Sequence, residues 1–139
     1  IEELVEFVRA ASNSEEEFQQ AVQDLHQALD IAAEKVSQST PAEKTLVGQV
    51  DALIDTLYFT YGSFVLMGVD PERIFEIVHQ ANMGKIFPDG KAHFDPVTHK
   101  ILKPDNWKEK YAPEPAIKKE IERQIKAYER HKERENRMS

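Results

Sequence analysis

A chain of 139 residues with 25 acidic and 18 basic side chains, a formal net charge of −7, fits one domain and is a poor match for the phosphate backbone of nucleic acid. It has no cysteine, which excludes disulfides, zinc–thiolate sites and thiol nucleophiles. Hydrophobic residues make up 40% of the chain, enough for a core, but no apolar run approaches a membrane span; no secretory signal is visible, so a cytoplasmic location is the default expectation.

Residues 1–11 place Leu4, Val5, Phe7 and Val8 at helical spacing and predict a short amphipathic helix. Ser12-Asn13-Ser14 ends it, and Ser14 with Glu17 forms the capping box of a second helix, from Glu15 to about Ser37. The stripe of that helix runs through Phe18, Val22, Leu25, Leu29 and Val36, with Gln27, Asp30 and Glu34 on a neighbouring line. Thr40-Pro41-Ala42-Glu43 is the next start signal, with Thr40 as N-cap, Pro41 at the first helical position and Glu43 closing the box. It leads into a central helix, Leu46 to Met67, apolar on almost every side and ended by Gly68. Asp70-Pro71-Glu72 opens a further helix to about Ala81, with Ile74, Phe75, Ile77 and Val78 facing inward.

From 83 to 113 the pattern is broken by Pro88, Gly90, Pro96, Pro104 and Pro113. Ala92-His93-Phe94 and Lys100-Ile101-Leu102, either side of a turn at Asp95 to Thr98, suggest a small hairpin. Pro115 restarts a helix with Ile117, Ile121, Ile125 and Tyr128 on one stripe. Beyond Glu129 the chain is almost purely charged, and residues 129–139 are expected to project or fray. The sum is one all-α, bundle-like domain over residues 1–139, with four or five helices and an irregular Pro- and Gly-containing excursion before the last.

The chemistry begins with Asp51 and Asp55, four residues apart and therefore on one face of the central helix. Two like charges on so apolar a helix repel each other and resist desolvation, and a bound cation is the simplest compensation. Asp30 and Glu34 repeat the spacing on the second helix. The short link predicts antiparallel packing, which lets the two carboxylate pairs meet inside the bundle. Such hard oxygen ligands suit Mg²⁺ or Mn²⁺, and a metal so held promotes attack of water on a phosphoanhydride. For Asp30 and Glu34 a solvated surface pair stands beside this reading; for Asp51 and Asp55 the scarcity of polar surface favours ligands. The five histidines show no zinc-ligand spacing.

The run Asp51-Ala52-Leu53-Ile54-Asp55-Thr56-Leu57-Tyr58-Phe59-Thr60-Tyr61-Gly62, followed by Gly68-Val69-Asp70, resembles the second metal helix of the all-α nucleoside triphosphate pyrophosphohydrolases, the MazG-like and phosphoribosyl-ATP pyrophosphohydrolase-like proteins. Val78 to Lys85, Asp89-Gly90-Lys91 and Lys100 to Pro104 are similar to the tail of one branch, so the resemblance spans roughly residues 14 to 115. It implies an all-α fold that oligomerises, usually as a dimer or a pair of dimers. It also implies Mg²⁺-dependent cleavage between the α and β phosphates, giving a nucleoside monophosphate and pyrophosphate. Asp55 matches the second acid of the family's Glu-x-x-Asp pair, and Ala52 stands where the Glu belongs. On the preceding helix Gln27-x-x-Asp30 has the family's spacing, with Asp30 and Glu34 as the available acids. Asn82 and Lys85 match positions near the nucleotide; the plainer alternative is a helix C-cap and a solvated lysine. Lys103 can neutralise a phosphate from the loop, and Tyr58 can stack a base, although a tyrosine there also suits a core.

The expected function is thus an NTP or dNTP pyrophosphohydrolase of housecleaning type, a homodimer or homotetramer. Asp30, Glu34, Asp51 and Asp55 hold the metal, Asp51, Asp55 and Glu34 serve catalysis, and Asn82, Lys85, Lys103 and Tyr58 bind substrate. The alternative, motivated by Ala52, is a catalytically weakened nucleotide-binding or structural helical oligomer. A third reading is an interaction module that uses the last helix as a partner arm.

Overall fold

The computed structural model describes residues 1–38 and 45–138. Six helices account for their regular structure: α1 (Glu2–Ala11), α2 (Glu15–Gln38), α3 (Leu46–Met67), α4 (Glu72–Met83), α5 (Trp107–Tyr111) and α6 (Glu114–Met138). The all-α expectation holds. The Thr40-to-Glu43 start signal lies outside the described residues. Two compact units make up the chain, Ile1–Ala52 and Leu53–Ser139, and α3 runs across the boundary between them.

In the first unit α1 packs on α2. Val5 and Val8 of α1 and Phe18, Ala21, Val22 and Leu25 of α2 are the half-buried positions, as the stripes require. Ser14 Oγ accepts the Glu17 amide at 3.2 Å, one half of the capping box. The Glu17 carboxylate reaches one residue further back than expected, accepting the Asn13 amide at 2.7 Å. Both arrangements satisfy amides that a helix start leaves without partners. Arg9 bridges the corner, with its guanidinium 2.7 Å from Glu15 and 4.9 Å from the centre of the Phe18 ring.

In the second unit α3 ends in a Schellman turn. The Val69 amide returns to the Phe64 carbonyl and the Gly68 amide to the Val65 carbonyl, both at 3.0 Å. Gly68 takes φ +68°, a conformation that side chains disfavour. The Asp70 carboxylate then accepts the Glu72 amide at 3.0 Å and starts α4. Gln124 of α6 ties this corner down, its amide group accepting the Asp70 N–H and donating to the Asp70 carbonyl, each at 2.9 Å. Beside it Glu120, 8% exposed, accepts two bonds from Arg123 at 2.8 and 2.6 Å and one from Gln124 at 3.1 Å. The Arg123 hydrogen bonds, then that of Gln124, hold the Glu120 carboxyl down at about 2. α4 packs against α6.

The irregular excursion carries the expected turn. Phe94 and Ile101 form an antiparallel bridge, and Asp95 folds the tip by accepting the amides of Val97 and Thr98 at 2.9 and 2.6 Å. These bonds hold the Asp95 carboxyl below its usual range. The hairpin stops at one bridge. Beyond Glu129 α6 continues, helical and exposed, to Met138, with His131 and Glu135 3.3 Å apart at i, i+4 spacing. One packing expectation fails. Phe75, expected to face inward, is 72% exposed, as are Ile125 and Tyr128 in large part, whereas Ile74, Ile77, Ile117 and Ile121 are half-buried.

The fully covered core of the described residues is small: Ala81, Trp107 and Glu120. α3 is the extreme case, with no buried residue although its sequence is apolar all round; Leu66 is 91% exposed. No single described helix is long and apolar enough to cross a membrane, and the chain turns by 120° between α3 and α4.

Candidate functional site

Three of the four residues expected to bind substrate come together at the end of α4. Asn82 sits in its last turn. Lys85, just beyond the Gly84 cap, is half-buried rather than solvated, and its ammonium donates to Asn82 Oδ1 at 2.7 Å. Lys103 arrives from the irregular excursion. Both ammonium groups lie over one indole ring, that of Trp107: Lys103 Nζ at 4.2 Å from the ring centre and Lys85 Nζ at 5.9 Å. A cation over an aromatic face is drawn to the negative face of the ring, most strongly for tryptophan.

Trp107 itself is buried, 7% exposed, and its indole N–H donates to the Ala81 carbonyl at 2.8 Å. The reason is local. At the end of a helix the last carbonyls lack amide partners. The Gly84 amide returns to Gln80 and the Lys85 amide to Asn82, so Ala81 receives its bond from the indole. One helical turn after Trp107, Tyr111 lays its ring against Gly84; a methyl group on Gly84 would meet the ring carbons at 2.5 to 2.8 Å. The short helix α5 thus grips the end of α4 through two aromatic side chains. Sequence reasoning missed both. The available signal was one tryptophan in the chain, between Pro104 and Pro113 and among lysines, but five residues are too few to show a period.

The excursion that delivers Lys103 is braced from within. His93 and Asp89 lie 2.7 Å apart, and the His93 ring stacks on Phe87 with centres 4.3 Å apart. The His93 bond holds the Asp89 carboxyl below its usual range. Tyr58 stands elsewhere, on α3, 77% exposed and edge-on to Phe59.

The carboxylates expected to hold a metal stand on α2 and α3. Asp30 and Glu34 are exposed on α2, where Glu34 Oε1 accepts Gln38 Nε2 at 3.2 Å. Asp51 and Asp55 are exposed on α3, like the leucines and valines around them. Among the described residues no three His, Asp or Glu side chains are grouped closely enough to hold a metal ion. Asp51 and Asp55 are still donors of suitable chemistry. Mg²⁺ is commonly held by one or two carboxylates, with water and phosphate oxygens completing its octahedron.

Residues 1–82 match the model of the phosphoribosyl-ATP pyrophosphohydrolase family. The chain is also similar to a crystal structure described as that of a proposed NTP pyrophosphohydrolase from Exiguobacterium sp. 255-15. The two are 44% identical and superpose with a TM-score of 0.78, over 91% of this chain and 75% of that one. No curated protein matches. The chain therefore belongs to the phosphoribosyl-ATP pyrophosphohydrolase family, within the all-α NTP pyrophosphohydrolase superfamily that the motifs around Asp55 and Asn82 resemble.

Proposed function

We propose that the protein is a metal-dependent nucleoside triphosphate pyrophosphohydrolase of housecleaning type, converting an NTP or dNTP to the monophosphate and pyrophosphate. Family membership supports the reaction class. The observation that carries the reading to this chain is the meeting of Asn82, Lys85 and Lys103 at Trp107. This places two cations about one ring, and an amide on one of them, within an acidic chain. In the reaction Lys85 and Lys103 offset phosphate charge. With its oxygen occupied by Lys85, Asn82 offers its NH₂ group to an acceptor on the base or sugar. Asp51 and Asp55, with Asp30 and Glu34, are the residues that hold Mg²⁺ or Mn²⁺, and Asp51, Asp55 and Glu34 orient the attacking water. A metal bound there would neutralise phosphoryl charge and lower the pKa of water. Tyr58 stacks the base.

The same reading takes the protein as a homodimer or a pair of dimers. A helix apolar all round is stable only when covered, yet α3 is bare in the single chain. Leu57, Tyr61 and Phe64 of α3, with Ile74, Phe75 and Val78 of α4, line an open apolar groove of about 560 Å³. Helices of a second copy fill it.

A second reading, a non-catalytic nucleotide-binding relative, draws on Ala52 at the family's Glu position and on the ungrouped carboxylates. Pyrophosphate release across a full panel of NTPs and dNTPs, with Mg²⁺ and with Mn²⁺, separates the two. Release from at least one nucleotide supports the hydrolase. No turnover by folded protein, with a nucleotide-induced rise in Tm, favours the second reading.

A further inference from the structure

We propose that Trp107 is a positioning residue that holds Lys85 and Lys103 as a pair for the triphosphate of the substrate. This deepens the functional reading above and rests on it. Three observations converge. The indole is fixed at its N–H by the Ala81 carbonyl, 2.8 Å away, so its ring cannot rotate without orphaning the end of α4. Two ammonium groups, from segments eighteen residues apart in sequence, then lie within 5.9 Å of that ring's centre. Neither ammonium is in an ion pair among the described residues, although the chain has 25 acidic side chains. Two like charges gathered on one ring repel each other, and a neutral amide on Lys85 relieves none of that. A polyanion that reaches both does relieve it. Trp107 is itself covered, so it acts through the lysines and touches no substrate.

The mechanism predicts which variants matter. Trp107→Phe keeps an aromatic face and loses the N–H. Trp107→Leu keeps apolar bulk and loses the face. Because the lysines hold phosphate in the ground state as well as during reaction, their release raises KM more than it lowers kcat. The expected order is a KM increase of about tenfold for Trp107→Leu with kcat within about threefold, and a smaller KM increase for Trp107→Phe. A residue that merely supports the fold would lower Tm and active fraction while leaving KM in place.

A direct readout needs no turnover. Trp107 is the only tryptophan in the chain, so intrinsic emission reports on this ring alone. Titrating the whole protein with inorganic tripolyphosphate, without metal or nucleotide, should change the emission saturably as the ammoniums shift toward the anion. Lys103→Met and Lys85→Met should each weaken the apparent affinity at least about fivefold with Tm preserved. This arm stands even if no nucleotide is hydrolysed, which separates its failure from failure of the enzymatic reading. An unchanged emission, an emission change indifferent to both lysine substitutions, or tripolyphosphate binding by Trp107→Leu equal to that of the unaltered chain (followed by calorimetry) would each overturn the proposal. If Trp107→Leu does not fold, the two lysine variants decide the matter alone.

Discussion

Gly84→Ala sets two physical effects against each other at the end of α4. Gly84 has φ −65° and ψ −9°, values any residue adopts. By backbone entropy alone, alanine should therefore stabilise the protein by about 0.4–1 kcal/mol. The new methyl group, however, would lie 2.5 Å from Tyr111 Cγ and 2.6 and 2.8 Å from the two Cδ atoms. Those atoms are the near end of the ring, so a rotation at its far end gives no relief, and α5 has to move. Overpacking of this kind costs about 1–3 kcal/mol. The clash wins: a net loss of about 1–2 kcal/mol, seen as a fall in Tm of roughly 3–8 °C for a domain of this size. The assay is thermal unfolding at fixed chain concentration, with the emission of Trp107 recorded alongside. In a Tyr111→Ala background the clash is gone, and Gly84→Ala should become neutral or stabilising by about 0.5 kcal/mol, a sign reversal that measures the coupling. If Gly84→Ala alone raises Tm, the grip of α5 on α4 is not as described.

Two further outcomes follow from the packing. The Glu120 carboxyl is held at about 2 against an ordinary value of 4.5, so between those values the unfolded chain binds the extra proton. The contribution is present above pH 4.5 and lost as pH falls toward 2. In acid titrations followed by circular dichroism, Glu120→Gln should flatten stability across that window, and a profile parallel to that of the unaltered chain would contradict the assignment. Leu57→Glu, on the bare face of α3, should reduce the mass in solution from a dimer or tetramer to a single chain, or prevent folding. A monomeric, fully folded parent protein would remove the argument for assembly.

Much of the scaffold was legible from local chemistry. Ser14, Gly68 and the Asp70-Pro71 pair marked helix ends within a residue or two, because caps are set by side chains next to the backbone they satisfy. The turn at Asp95 was legible for the same reason. What failed depended on partners distant in sequence. Phe75, Ile125 and Tyr128 fit the helical period but remain open, because periodicity shows a sticky face without showing whether one chain covers it. α5 is too short to carry a period, yet its Trp107 ring lies under both Lys85 and Lys103. The spacing of Asp30 with Glu34 and of Asp51 with Asp55 marks faces and carries no distance from one helix to the next.

The central claim is tested most directly by product analysis with the most responsive nucleotide, comparing the parent protein with Asp55→Asn in Mg²⁺ and in excess chelator. Monophosphate and pyrophosphate should appear in equal amounts. Their formation should stop on chelation and fall at least about a hundredfold in Asp55→Asn at unchanged helicity. Diphosphate with inorganic phosphate as products, or turnover indifferent to both metal removal and Asp55→Asn, would contradict it.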